Sequence, residues 1–201
     1  MAFQIAIKNA EIGKKVMLLS LEGSLNEIPL RHLQREIAKI QPIKTVNYRF
    51  NQDKTHAAIE TQVYEEIPEQ IKRNIRILKR EEIPSLEDIL HLIISMKKEF
   101  DLIIIDHLHY INTPSENELN MIGQIMRELK LTTDVHNIPI VLMSHLRKRS
   151  KKIDKPNIRD LYGSSNIGKE ATTVILIHKI DKAYINSLSL PEYVRDDPRY
   201  A

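Results

Sequence analysis

Two acidic residues in this chain each close an apolar run. Residues 100–111 read FDLIIIDHLHYI, so that Leu102 to Ile105 run straight into Asp106, and residues 15–22 read KVMLLSLE, ending on Glu22. An unbroken apolar run of this length reads as a strand buried on both faces, and therefore as part of a parallel sheet. A carboxylate is costly inside such a sheet, so both acids are expected at its carboxyl edge, where open α/β sheets bind ligands. An acid there can hold the magnesium of a bound nucleotide, which is the chemistry Asp106 would supply. On the string alone, an ordinary capping Asp after a core strand stays open.

A third run, NIPIVLMS over residues 137–144, hands over to His145. Residues 147–155, RKRSKKIDK, then set six cations and one Asp in nine positions. A run of this kind is either a solvated face or a patch for nucleic-acid phosphates. His107 and His109 form an HxH pair that could suggest a metal. No third ligand accompanies it at a convincing spacing, so both read as ordinary residues following the strand.

The elements that would position these groups follow from periodicity. Phe3, Ala6, Ile7 and Ala10 recur at helical spacing over residues 2–12, Gly13 is a natural stop, and no capping residue precedes the helix. Ser24 to Ile40 reads as a helix interrupted by Pro29, residues 41–54 as irregular, and Thr55 to Ile71 as helical in two pieces around Pro68. Asn74 to Leu78 is a short strand. Ser85 with Asp88 three residues later forms a capping box for a helix reaching Glu99, with Leu86, Ile89, Leu90 and Ile93 facing inward. After a polar loop over Thr113 to Glu118, a long helix runs to about His136 on a stripe of Ile122, Ile125, Met126 and Leu129. Pro156 to Ile167 is loop or short helix, Thr173 to His178 a last strand, and Asp181 to Ala201 a tail. Strands alternating with helices make this an α/β chain with a mainly parallel sheet.

Composition bounds the function. With 201 residues, 42% hydrophobic and 28% charged, the chain suits one globular α/β domain. It has no cysteine, which excludes disulfides and thiolate metal sites, and no apolar run long enough for a membrane span. The amino terminus lacks a signal-peptide layout, so a cytoplasmic location and no membrane partner are expected. A net charge of +3 means that any nucleic-acid contact must come from a local patch.

Nucleotide motors carry GxxxxGK[ST], whose backbone amides cradle phosphates at a helix start. Gly163 to Glu170, GSSNIGKE, has the glycines and the Lys, but Glu170 stands where a hydroxyl should ligate magnesium. Loop rather than strand precedes it. The string reads as a decoy.

In order, these segments resemble the motor domain of the hexameric replicative DNA helicases, the DnaB type and the phage primase-helicase type, which share a RecA-like core. KKVMLLSLEG resembles the family segment whose acid activates the attacking water, which implies Glu22 as general base. FDLIIID resembles the Walker B strand, with Asp106 as the magnesium acid. VLMSHLRK resembles the strand and turn that sense the terminal phosphate, with His145 as sensor. KPNIRDLYGSSNIGKEATTVILIHK resembles the last signature, a DLRGSG-like turn followed by a strand, and departs from it at Tyr162 and Ser165.

The resemblance implies ATP and magnesium as cofactors, a homo-hexamer, single-stranded DNA as partner and possible contact with a primase. It also gives the basic run a role, with Arg147, Lys148, Arg149, Lys151 and Lys152 in a channel loop that follows the DNA backbone. Residues 1–180 would form the motor core, starting just downstream of the phosphate loop and lacking that loop's own strand, and residues 181–201 an incomplete tail. The alternatives are a truncated, non-catalytic unit that binds DNA or a partner, and another RecA-like ATPase of recombinase type.

Overall fold

In the computed structural model, which describes residues 1–22, 69–79, 85–114, 117–146, 156–161 and 163–177, the apolar runs become neighbouring strands. β1 (Val16–Ser20), β2 (Ile75–Lys79), β3 (Leu102–Asp106) and β4 (Ile140–Leu142) stand in the order β2-β1-β3-β4, and every pairing is parallel. All five residues of β1 are buried, as an unbroken apolar run requires of a strand covered on both faces.

Side chains alternate between two unlike faces. Val16, Leu18, Leu102 and Ile104 meet Ala2 and Ala6 of α1 (Ala2–Glu11), where small residues let the helix backbone lie close to the sheet. Met17, Leu19, Ile103 and Ile105 meet the larger side chains of α3 (Leu86–Met96) and α4 (Glu118–His136). Each fully buried isoleucine here stabilises the fold by about 2 kcal/mol. α2 (Glu69–Asn74) packs Ile71 against Ile7 and Ala10 of α1 and runs directly into β2.

Local chemistry sets the ends. Gly13, at φ 83°, closes α1, with Gly13 N–H donating to Ala10 O and Lys14 N–H to Asn9 O, the pairing of a Schellman stop. Ser85 caps α3 in the expected box: its Oγ accepts from Asp88 N–H, and Asp88 Oδ2 accepts from Ser85 N–H, both at 3.2 Å. Asn117 caps α4 by accepting from Leu119 and Asn120 N–H, and the predicted stripe of Ile122, Ile125, Met126 and Leu129 is buried. At the amino edge of the sheet, Asp101 accepts from Lys15 N–H at 2.9 Å and from Lys14 Nζ at 3.2 Å, which ties the start of β1 to the start of β3.

Two sequence expectations change. The strand expected over Thr173 to His178 forms no ladder in its described part, residues 173–177. Val174 and Leu176 pack on the core while Ile175 is 78% exposed and Ile177 53% exposed, so the segment keeps the two-residue alternation of a strand. Alternation selects faces; only a partner's backbone makes a strand. A cavity of about 730 Å³ separates this segment from β4. Secondly, β4 is shorter than the apolar run over residues 137–144: it spans Ile140–Leu142, with flanking backbone bonds from Ile103 N–H to Pro139 O and from Met143 N–H to Ile105 O, and Asn137, at φ 51°, belongs to the end of α4.

The GSSNIGKE string is a helix. α5 (Ser164–Glu170) begins at Gly163, and Gly168 and Lys169 lie inside it. Asn166 and Ile167 N–H donate to Gly163 O and Ala171 N–H to Ile167 O, so amides that would cradle a phosphate are spent within the helix. Gly163 has a packing role instead. It sits at φ 73°, and a Cβ there would lie 2.7 Å from Ile122 Cδ1 of α4. The expectations for residues 24–68, the basic run Arg147 to Lys152, Tyr162 and residues 178–201 lie outside the described residues.

Gly163→Ala is expected to lower unfolding stability by about 1–3 kcal/mol in urea titrations, through left-handed strain and the Ile122 contact together. Asp101 supplies a pH test. The Lys15 N–H first, and then Lys14, hold its carboxyl below the ordinary 3.8. Its contribution is therefore complete above 3.8 and is lost as pH falls through the lower folded value. Asp101→Asn should lower Tm at neutral pH, and the gap from the parent should narrow progressively below pH 3.8.

Candidate functional site

From β1 the chain proceeds to β2 on one side, and from β3 to β4 on the other. The sheet therefore switches direction between β1 and β3, and open α/β sheets bind ligands at the carboxyl ends of the strands flanking such a point. Ser20 pairs with Asp106 across the ladder, and Leu21 N–H donates to Asp106 O at 2.7 Å, so Glu22 emerges beside the end of β3. Glu22 and Asp106 both line the cavity that opens along β4.

His145 enters from the third strand end, with its Nε2 3.7 Å from Glu22 Oε2. Backbone bonds from Met143 N–H to Ile105 O and from Leu108 N–H to Met143 O hold the β4 exit against the β3 exit. The fold thus brings together three residues singled out in the sequence, Glu22, Asp106 and His145. The basic residues Arg147, Lys148, Arg149, Lys151 and Lys152 are not among the described residues.

A fourth residue belongs to this cluster, one that the sequence reads as an ordinary residue following the strand. His107, 3% exposed, places its Nε2 3.2 Å from Glu22 Oε2, and its ring centroid lies 3.9 Å from that of His145. The HxH spacing suggests His109 as its companion, and that ring does lie 5.4 Å away, but the carboxylate facing His107 Nε2 and the ring nearest to it, that of His145, come from other strand ends. The one signal in the chain is its position immediately after the strand-end acid.

Burial, and next the neighbouring His145, hold the His107 imidazole below the ordinary 6.5, so the ring is neutral at pH 7. His107 Nδ1 accepts from His109 N–H at 3.3 Å. A neutral ring that accepts at Nδ1 carries its hydrogen on Nε2, the atom facing Glu22. The contact is close but not aligned as a hydrogen bond, leaving a buried donor unsatisfied at a cost of about 1–3 kcal/mol.

The same protonation decides a second question. Glu22, His107 and His145 bring potential ligand atoms within 4.8 Å of one another, which suits a metal by distance. A metal on His107 Nε2 would need that hydrogen removed and Nδ1 protonated against the His109 N–H. The donor set favours a hydrogen-bonded carboxylate instead.

The chain matches the profile of the DnaB-like helicase C terminal domain over residues 1–193. It is 38% identical over 82 residues to a probable plasmid replicative DNA helicase of Chlamydia trachomatis, a match covering 39% of this chain and 18% of that protein. It is 28% identical over 109 residues to the replicative DNA helicase DnaB of Rickettsia bellii, covering 52% of this chain and 21% of that one. The matched stretch is thus about a fifth of each relative's length. Among solved structures, an ATPase domain superposes with a TM-score of 0.62 at 20% identity, covering 85% of this chain and 61% of its own. A DnaB-like replicative helicase, solved in a study of its interactions with primase, gives 0.60 at 20% identity, covering 85% and 41%. These two share the fold, a RecA-like parallel sheet. With a profile match over nearly its full length, the chain belongs to the DnaB-like helicase C-terminal domain family.

Proposed function

We propose that this domain is an ATP-driven motor that moves along single-stranded DNA during replication. One observation carries the reading: Glu22 and Asp106 emerge side by side at the switch point of the sheet, with His145 reaching the same carboxylate. Asp106 supplies an oxygen ligand of the kind magnesium prefers, and magnesium, when bound with ATP, offsets phosphate charge. Glu22, 45% exposed, takes the proton of the attacking water. His145 reads the terminal phosphate from the end of β4.

Arg147, Lys148, Arg149, Lys151 and Lys152 follow His145 within seven residues, so a loop carrying them would link the phosphate sensor to the DNA backbone. Family membership supports a homo-hexameric ring, and the neighbour studied for its interactions with primase supports a priming enzyme as partner. Among the described residues, no helix is long and apolar enough to cross a membrane.

The phosphate cradle must come from residues other than those of α5. The helical state of the GxxxxGK string also favours a second reading, a non-catalytic unit that binds DNA or a partner.

In the full-length protein, Glu22→Gln should keep ATP binding and lower DNA-stimulated hydrolysis by about 10² to 10⁴. Unchanged hydrolysis would overturn the assignment of the base, and absence of hydrolysis in the parent would select the non-catalytic reading. Replacing Lys151 and Lys152 by Ala should weaken oligonucleotide binding equally across sequences. In fluorescence anisotropy, the slope of log K against log salt should flatten by about 0.7 for each single-strand phosphate that is no longer neutralised.

A further inference from the structure

The two histidines that approach Glu22 differ in one respect. The His145 side chain is 63% exposed and that of His107 is 4% exposed, yet both rings direct Nε2 at the same oxygen, Glu22 Oε2. His145 is free to leave the carboxylate for another acceptor. His107 is not, since its ring lies 4.8 Å from Tyr110 and 3.9 Å from His145, and its Nδ1 is occupied by the His109 N–H.

We infer that His107 is a positioning residue: its Nε2–H holds Glu22 Oε2 and leaves Oε1 free to accept the proton of the attacking water. The donor is buried and has no aligned acceptor among the described residues, and Glu22 is the carboxylate at its tip. Glu22 lies at the solvent edge, so rotation about its side-chain bonds completes the bond without moving the buried ring. Such bonds often align only when substrate is bound. His107 is then the fixed anchor of the base, and His145 the partner that exchanges carboxylate for phosphate.

The catalytic consequence rests on the proposed hydrolytic function. The His107–Glu22 contact itself does not, and two measurements separate them. In the 201-residue chain, side-chain ¹⁵N spectra at neutral pH should show His107 as the Nε2–H tautomer, and Glu22→Gln should shift its Nε2 resonance. An Nδ1–H tautomer, or a resonance indifferent to Glu22→Gln, would overturn the contact.

In the full-length protein, His107→Leu should lower kcat by about tenfold to a hundredfold with KM for ATP within about twofold, the signature of a misplaced base rather than a missing binding group. His107→Gln, whose amide N–H can reach the same oxygen, should recover most of the rate. Parental kcat in His107→Leu would refute the role. So would a His107→Gln variant with native Tm that is as slow as His107→Leu.

Discussion

The in-register pairing of β1 with β3 is the constraint from which the rest of the molecule takes its position. Val16 faces Leu102 and Ser20 faces Asp106 across an unbroken parallel ladder, and Leu21 extends it by donating to Asp106 O. A slip of one residue would turn every side chain of β1 to the opposite face. The faces are not interchangeable, because Ala2 and Ala6 bring α1 close on one side while α3 and α4 fill the other with leucine and isoleucine. Packing against unlike layers therefore protects the register, and the register sets Glu22 beside Asp106.

The two ends of this pair are chemically opposite. At the amino edge, Asp101 engages the Lys15 backbone and the Lys14 ammonium. That edge serves the fold. At the carboxyl edge the polar groups are left incomplete: the buried His107 Nε2 and Ser144 Oγ have no hydrogen-bond partner among the described residues. Buried donors without partners are rare in folded proteins and gather where a substrate or a moving group completes them. The incomplete edge is also the one reached by the cavity, which unites the electrostatic and topological grounds for placing the chemistry there.

Much of this is legible in the chain because it is written in periodicity. The apolar runs before Glu22 and Asp106, the four-residue stripe of α4 and the Ser85–Asp88 cap each specify an element locally, and each appears where expected. The GSSNIGKE string lacks the strand that a phosphate loop must follow, and its amides prove to be spent in α5. Two features are beyond local reading. Residues 173–177 keep the alternation of a strand without acquiring a partner, since alternation encodes a face and not a neighbour. His107 joins Glu22 and His145 across distances of 85 and 38 residues along the chain (107 − 22 and 145 − 107), so only the strand order reveals the cluster.

The outer edge of β4 has a further consequence for the domain as a material. Among the described residues β4 is bonded on one side only, and Ile140, Val141 and Leu142 carry no charge to discourage an incoming strand. Soluble proteins usually guard such edges with lysine, proline or a covering segment. Here Pro139 stands at the entrance, but the wall opposite offers the exposed Ile175 and Ile177. An extended apolar chain laid along β4 would meet unpaired backbone groups on one side and an apolar wall on the other, so this edge is one place where copies of the domain can associate through their backbones.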